Sequence, residues 1–106
     1  MRDVHTIVRE YRQGLRKIFG DRLVDVRLYG SWARGQGRPG ESDIDLLCIL
    51  RGPINYWQVL EATSELTARL SLAHEVVLSR VFVSEEEFVG SALPFFQNVR
   101  RESVAV

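Results

Sequence analysis

The chain has 106 residues, of which 45% are hydrophobic and 26% are charged, as in an ordinary folded domain. These proportions exclude a collagen-like repeat, a disulfide scaffold and an extended disordered chain. Fourteen basic residues balance fourteen acidic ones, so no global positive field attracts nucleic acid or an anionic membrane. We therefore expect a single domain over residues 1–106 without strong nucleic-acid binding.

Three further features bear on the cellular compartment. The one cysteine, Cys48, cannot form an internal disulfide, which suits a reducing compartment. No apolar run approaches the roughly 20 residues of a membrane span, and the charged N-terminal sequence lacks the apolar middle of a signal peptide. A cytoplasmic protein without a membrane segment is expected.

The first third of the chain predicts a helix, a strand and a long loop. Apolar residues recur at three- and four-residue steps over residues 3–19, which predicts an amphipathic helix that ends at Gly20. Apolar and polar residues then alternate over Val24–Tyr29, which predicts a strand. The next segment, residues 30–40, reads GSWARGQGRPG, and its glycines and proline predict a loop with at most one helical turn. Long loops of this kind tend to be functional.

The rest of the chain predicts two more strands and three helices. Residues 43–50 read DIDLLCIL and predict a central strand that is covered on both faces. The other predicted elements are an N-capped helix from Asn55 to about Leu72, a strand over residues 75–83, a helix opened by the capping box Ser84–Glu87, and a last helix from Pro94 to about Arg101. This order predicts an α/β (α+β) fold in which helices flank a small mixed sheet.

Two acidic residues begin the predicted central strand. Residues two apart on a strand face the same way, so Asp43 and Asp45 project side by side, roughly 6.7 Å apart along the backbone. The next two side chains on that face, Leu47 and Ile49, are apolar, and carboxylates there need a neutralising cation. Mg²⁺ takes carboxylate oxygens and keeps waters and substrate phosphates as its other ligands. The pair indicates a metal site, unless both side chains lie in water at a frayed strand end.

The loop before this strand has the features of a phosphate site. Gly30 and Ser31 follow a strand and open a helical turn, where free backbone N–H groups and a hydroxyl can donate to phosphate oxygens. Arg34, three residues later, could add a charged fork. A Gly-Ser pair alone is usually a turn, and its value here comes from standing a dozen residues before the two acids.

The two motifs together resemble a known signature. Gly30-Ser31-Trp32-Ala33-Arg34-Gly35, followed by Ser42-Asp43-Ile44-Asp45-Leu46, is similar to the GS-x-A-R-G … S-D-I-D-L pattern of minimal nucleotidyltransferases, in the DNA polymerase β-like superfamily. The resemblance implies a polymerase-β palm-type fold and transfer of a nucleoside monophosphate from a nucleoside triphosphate, ATP above all, to a hydroxyl. It also implies roles for the motif residues: nucleotide binding by Gly30, Ser31, Arg34 and Ser42, and two Mg²⁺ ions held by Asp43 and Asp45.

The superfamily has a third metal-binding carboxylate, on a strand next to the Asp-x-Asp strand. Its best match here is Glu75, at the start of the predicted third strand, although the usual residue is Asp. The resemblance thus implies a catalytic and metal-binding role for Glu75, and the alternative is a solvated acid where a helix meets a strand. Asp25, on the first strand, is the second candidate.

The resemblance also bears on partners. Minimal nucleotidyltransferases are often paired with a helical HEPN-type protein as antitoxin and toxin, which implies such a partner here, with the acceptor hydroxyl on it. A rival interpretation is a non-catalytic binding module that neutralises its partner by contact. A nucleotide- or Mg²⁺-sensing regulatory domain would use the same residues.

Overall fold

A computed structural model describes residues 3–106. The elements in chain order are α1 (Val4–Phe19), β1 (Leu23–Tyr29), α2 (Gly30–Ala33), β2 (Ile44–Leu50), α3 (Tyr56–His74), β3 (Leu78–Ser84), α4 (Glu85–Gly90), α5 (Pro94–Glu102) and β4 (Val104–Ala105). The predicted α/β (α+β) class, with a mixed sheet flanked by helices, is confirmed.

The sheet has the strand order β3-β2-β1-β4. β1 pairs antiparallel with both β2 and β4, whereas β2 and β3 run parallel. As predicted, β2 is central, and all of its side chains except that of Asp45 are buried. The C-terminal end of β1 therefore lies beside the N-terminal ends of β2 and β3, and these three strand ends form one edge of the sheet. At that edge Asp45 pairs with Tyr29 on one side and with Ser79 on the other.

The two faces of β2 belong to different apolar clusters. The larger cluster takes the even-numbered β2 residues and packs them against α1 and α3: Ile44, Leu46, Cys48 and Leu50. The smaller one takes Leu47 and Ile49, which pack against Phe96 and Val99 of α5. Both faces of β2 are therefore covered by apolar side chains, as the continuous apolar sequence of this strand predicts.

The predicted helix ends are confirmed where a side chain or a glycine marks them. The Asn55 side chain accepts a hydrogen bond from the backbone N–H of Gln58 at 3.2 Å. Ser84 and Glu87 form the reciprocal capping box. α1 ends at Gly20, whose φ is +58°. Local sequence chemistry is sufficient to define these ends.

Two features of β1 differ from the prediction. The register shifts between Leu23 and Asp25, and this irregularity lets Val24 pack against the smaller cluster while Val26 lies in the larger one. The outer edge of β1 pairs with the two-residue strand β4, at Leu28 and Val104. Two residues carry no periodic pattern, so the sequence gives no sign of β4.

The prediction that β3 begins at Glu75 is wrong. Glu75 is the C-terminal cap of α3 and has the left-handed values φ 54° and ψ 47°, while β3 begins three residues later, at Leu78. The backbone N–H of Glu75 still bonds to the carbonyl of Leu72 in the last turn of the helix. An acidic residue can end a helix in this conformation, but the usual sign of such an end is glycine.

Within residues 3–106, no helix has both the length and the apolar character that crossing a membrane requires.

We expect the centre of β2 to dominate the stability of the fold. Leu46 is fully buried, so Leu46→Ala should lower the free energy of unfolding by about 2–5 kcal/mol through lost burial and a residual cavity. Leu72→Ala is the control, because Leu72 is 80% exposed and its loss should change stability by no more than about 0.5 kcal/mol. Urea unfolding measures both, and equal effects would contradict this account of the core.

Candidate active site

The two predicted acids lie together at the edge where β2 begins. Asp45 is the second residue of β2 and is partly buried, whereas Asp43 immediately precedes the strand and is exposed. They are close enough for the charge of Asp43 to act on Asp45. Asp45 is held by strand pairing on both sides, so its backbone is fixed while the carboxylate reaches the open edge.

Gly30 lies directly against Asp45. Its φ is +71°, and a Cβ added there would lie 2.2 Å from Oδ2 of Asp45. The backbone conformation favours glycine, and any larger residue here would displace the Asp45 carboxylate. α2 begins at this residue, so the structure brings the predicted phosphate loop and the acid pair into contact.

The surroundings of Asp45 disfavour its ionised form, and a bound cation would offset this. Burial raises the pKa of Asp45, the negative charge of Asp43 raises it further, and the positive charge of Arg34 opposes both. Within residues 3–106, neither the Asp43 carboxylate nor the Asp45 carboxylate has a hydrogen-bond or ion-pair partner. Two adjacent carboxylates with free oxygens are the donor set that Mg²⁺ prefers, so these residues fit a divalent cation.

Arg34 and Ser31 lie on the α2 side of the acids. The Arg34 guanidinium is about half exposed, with Nη1 4.0 Å from Oε2 of Glu102 in α5 and Nε 3.3 Å from the Gln36 side chain. Within residues 3–106 the Ser31 hydroxyl has no hydrogen-bond partner. A guanidinium and a free hydroxyl next to Gly30 are suited to an anionic ligand.

Ser42 holds the loop between α2 and β2. Its carbonyl accepts a hydrogen bond from the Trp32 indole at 3.3 Å, and its hydroxyl accepts one from the backbone N–H of Arg38 at 3.0 Å. Gly37 leaves space for the Trp32 ring, since a Cβ on Gly37 would lie 2.0 Å from a ring atom. These contacts fix residues 30–42 as one unit beside the acids.

Glu75 does not complete a three-acid cluster with Asp43 and Asp45. It is exposed at the end of α3, and within the described part of the chain no group of three His, Cys, Asp or Glu side chains is placed to hold a metal ion. The β3 residue paired with Asp45 is Ser79, so the neighbouring strand offers a hydroxyl at that level in place of a carboxylate.

Asp25 lies at the far end of the sheet. It pairs with Ile49, four residues along β2 from Asp45 and roughly 13 Å away at strand spacing. Its carboxylate is 3.2 Å from the Arg12 guanidinium and 3.5 Å from that of Arg27. Asp25 is therefore neutralised by arginines and separated from the acid pair.

A cavity of about 400 Å³ opens beside Asp43, on the β3 side of the acid pair. It lies between the loop that leads into β2 and the connection from α3 to β3. Its lining consists of Gly40, Glu41, Ser42, Asp43, Ser71, Leu72, Glu75, Val76 and Val77. The sequence does not predict this cavity, because a cavity between two connections has no local pattern. The one feature that could have indicated it is the apolar pair Val76-Val77 directly after an acid.

Comparison with known proteins gives consistent results. A family model described as a nucleotidyltransferase domain matches residues 8–103. A protein of Methanocaldococcus jannaschii described as a "putative protein adenylyltransferase" is 32% identical over 81 residues, which are 76% of this chain and 74% of that protein. A solved structure described as a "putative minimal nucleotidyltransferase" has a TM-score of 0.59 and 27% identity, with 99% of this chain and 97% of that one covered.

A mutant of the toxin–antitoxin MntA-HpeT shares the fold. It has a TM-score of 0.61 and 20% identity, with 100% of this chain and 72% of that one covered. A toxin–antitoxin solved with AMP-PNP has a TM-score of 0.57 and 19% identity, over 90% of this chain and 68% of that one.

The Gly30–Asp45 contact can be tested with a matched pair of variants. Gly30→Ala and Gly35→Ala both place an alanine at a positive φ, but only Gly30 has an atom within 4 Å of the added Cβ. Both variants should lose about 1–2 kcal/mol of stability, while only Gly30→Ala should also displace the Asp45 carboxylate and weaken the Mg-ATP binding that the sequence motifs lead us to expect. Calorimetric titration and urea unfolding measure the two effects; equal Mg-ATP affinity in both variants would contradict the contact.

The raised pKa of Asp45 has a consequence for stability. Because folding raises this pKa, ionised Asp45 destabilises the fold, and the penalty appears as the pH rises above the ordinary aspartate value of about 3.9. In chelator-treated buffer, Asp45→Asn should therefore melt at about the wild-type temperature at pH 3 and above it at pH 7. Adding Mg²⁺ at pH 7 should stabilise the wild type alone. A pH-independent difference in melting temperature would show that the electrostatic explanation is wrong.

Proposed function

This chain belongs to the nucleotidyltransferase domain family and is a minimal nucleotidyltransferase, and from that premise we propose that it transfers adenosine monophosphate from ATP to a hydroxyl of a partner protein. The observation that carries the proposal is the contact between Gly30 and Asp45. It joins a backbone suited to phosphate with carboxylates suited to Mg²⁺. The description of the M. jannaschii relative as a protein adenylyltransferase supports both the donor and the acceptor.

The triphosphate belongs on the α2 side of the site. Gly30 has no side chain to keep a phosphate from the backbone, and the first N–H groups of α2 have no intrahelical acceptor. The free hydroxyl of Ser31 and the guanidinium of Arg34 add donors there. Ser42 contributes by holding the loop against Trp32.

Asp43 and Asp45 would hold the magnesium, with two ions expected during transfer. Bound Mg²⁺ supplies charge neutralisation at the phosphoryl oxygens and lowers the barrier to in-line displacement. The protein's own contribution is position: strand pairing fixes Asp45, and Asp45 in turn lies against the loop that receives the phosphates. Such fixed geometry can supply several kcal/mol of the barrier.

The transfer itself balances simply. The acceptor oxygen forms a bond to the α-phosphorus of ATP, and the bond from that phosphorus to the oxygen bridging to the β-phosphate breaks. Pyrophosphate leaves with the bonding electron pair, and the hydroxyl proton is released to water. No oxidant or reductant takes part.

The acceptor is proposed to be a helical HEPN-type protein, with this chain in an antitoxin-like role. The toxin–antitoxin neighbours share its fold, and one of them was solved with a nucleotide analogue. The zero net charge of the chain is more compatible with a protein acceptor than with a nucleic acid, which needs a basic surface.

One observation favours a second candidate, a binding module that neutralises its partner without chemistry. Within residues 3–106 the acids do not form a group of three, and β3 offers Ser79 beside Asp45. A site with two carboxylates has fewer ligands for a second metal ion. The two candidates differ in whether pyrophosphate is produced.

Mixing the chain with ATP, Mg²⁺ and a HEPN-type protein encoded beside its gene should increase the mass of that protein by one or more adenosine monophosphate units. Asp43→Asn should slow this modification at least about a hundredfold, as expected for losing an electrostatic stabiliser, and weaken Mg-ATP binding at least about tenfold, or 1.4 kcal/mol. Intact-mass spectrometry and pyrophosphate release measure the reaction.

The control is Asp21→Asn, an exposed acid in the turn before β1, which should behave as wild type. Tight association and neutralisation of the partner without any mass change, at saturating Mg-ATP, would reject the transferase and favour the binding module.

A further inference from the structure

The cavity beside Asp43 has a defined position relative to the other parts of the site. α2 follows β1, so Gly30 lies on the β1 side of Asp45. The cavity contains Val76 and Val77, which lead into β3, and so lies on the opposite side of the acids. Along this edge of the sheet the order is therefore the α2 loop, the acid pair and the cavity.

The order of these three parts matters because the proposed transfer is an in-line displacement. The attacking oxygen and the leaving oxygen must stand on opposite sides of the phosphorus. If the departing phosphates lie against α2, as in the proposed function, the attacking hydroxyl approaches from the β3 side. The cavity provides space on that side.

The charges around the cavity exclude a phosphate and favour a cation. Besides Asp43, which would hold Mg²⁺ in the proposed function, Glu41 and Glu75 line it, and no Lys or Arg does. Glu41 has an ion pair with Arg38 at 3.7 Å, but both side chains are largely exposed, so this pair neutralises little. A triphosphate would be repelled here, whereas a basic peptide segment would be attracted.

The cavity also offers apolar contact. Leu72 is 80% exposed and Val77 is 60% exposed, and both lie in the lining. A volume of about 400 Å³ is within the range of small-ligand sites. Exposed apolar walls with an acidic border suit a side chain that carries a hydroxyl and has basic neighbours.

The backbone conformation of Glu75 is a separate observation that points to a functional role for the cavity. Among residues 3–106 it is the only residue other than glycine with a positive φ. A non-glycine residue in this region costs free energy, and such residues concentrate at functional sites. Glycine would suit the backbone better, so the position keeps an acid at the cavity at some cost in stability.

We propose that this cavity is the acceptor site: it receives a hydroxyl-bearing side chain from a basic segment of the partner protein, and Glu75 is a specificity-determining residue that selects that segment by charge. The proposal deepens the proposed function and rests on it for the direction of attack.

Two synthetic peptides of equal length test the selection. Each carries one tyrosine, one serine and one threonine, flanked by arginines in one peptide and by glutamates in the other. Fluorescence anisotropy, with and without Mg²⁺ and a non-hydrolysable ATP analogue, should show at least about tenfold tighter binding of the arginine peptide to the wild type. Glu75→Lys should remove most of that difference, because it replaces an attraction by a repulsion, each of modest size.

The matched control is Glu65→Lys, the same charge change at an exposed position of α3 that does not line the cavity; it should keep the preference. Glu75→Gly should raise the melting temperature and still weaken binding of the arginine peptide, which separates loss of charge from loss of structure. Equal binding of both peptides to the wild type, or equal effects of Glu75→Lys and Glu65→Lys, would overturn the proposal.

The alternative occupant of the cavity is the nucleobase of ATP. A variant with a large side chain in the cavity distinguishes this alternative from the acceptor. Ser71→Trp should abolish binding of the arginine peptide and leave the calorimetric affinity for Mg-ATP unchanged. If Ser71→Trp instead weakens Mg-ATP binding and spares the peptide, the cavity belongs to the nucleotide and the acceptor site is wrong. Failure of the wild type to bind Mg-ATP at all would reject the proposed function. The peptide measurement without nucleotide does not depend on Mg-ATP binding, so the two failures can be told apart.

Discussion

The antiparallel pairing of β1 with β2 is the constraint on which the site depends. It places Tyr29 opposite Asp45, so the residue that follows Tyr29 must pass next to the Asp45 carboxylate. Glycine suits this position, because φ is positive and a Cβ would displace the carboxylate. A helical turn and two acids, which are separated by a dozen residues of chain, are thereby brought into contact by backbone hydrogen bonds. Backbone pairing alone is therefore sufficient to hold the α2 loop beside the acid pair.

The two acids lie at the beginning of β2, where carboxylates can reach a ligand without being buried in the core. Every later residue of β2 is buried, and an isolated carboxylate in such surroundings would carry a large desolvation cost. At the beginning of the strand the same backbone rigidity is available while the side chains reach solvent. Asp45 is the compromise, since it is partly buried and its pKa is raised by that burial and by Asp43. The fold therefore keeps a local electrostatic strain that a bound cation would relieve.

The sequence predicted those parts of the molecule that local chemistry defines. The amphipathic helix α1, the caps at Asn55 and Ser84, and the doubly covered strand β2 each depend on neighbouring residues. The site motif was also predictable, because Gly30 and the two acids form one recognisable pattern. Sequence patterns wrongly assign Glu75 to a strand, because a left-handed helix end without glycine has no signal in the sequence. The cavity depends on two connections that approach only in three dimensions, and the face of Val24 depends on an irregular register. These are tertiary outcomes that neither periodicity nor spacing encodes.

The short length of β4 leaves most of the outer edge of β1 without a strand partner, since β4 covers only Arg27 and Leu28. An open strand edge is a template for adding a strand from another copy of the chain. Here arginines of α1 occupy the exposed acceptors: Arg16 donates to the carbonyl of Leu23 at 3.1 Å, and Arg12 donates to that of Val26 at 2.7 Å. The helix thus protects the sheet against edge-to-edge aggregation with charged side chains that cannot themselves continue a sheet. Replacing these arginines by leucine would uncover the two carbonyls and promote pairing between copies of the chain, and it would also remove the Arg12 partner of Asp25.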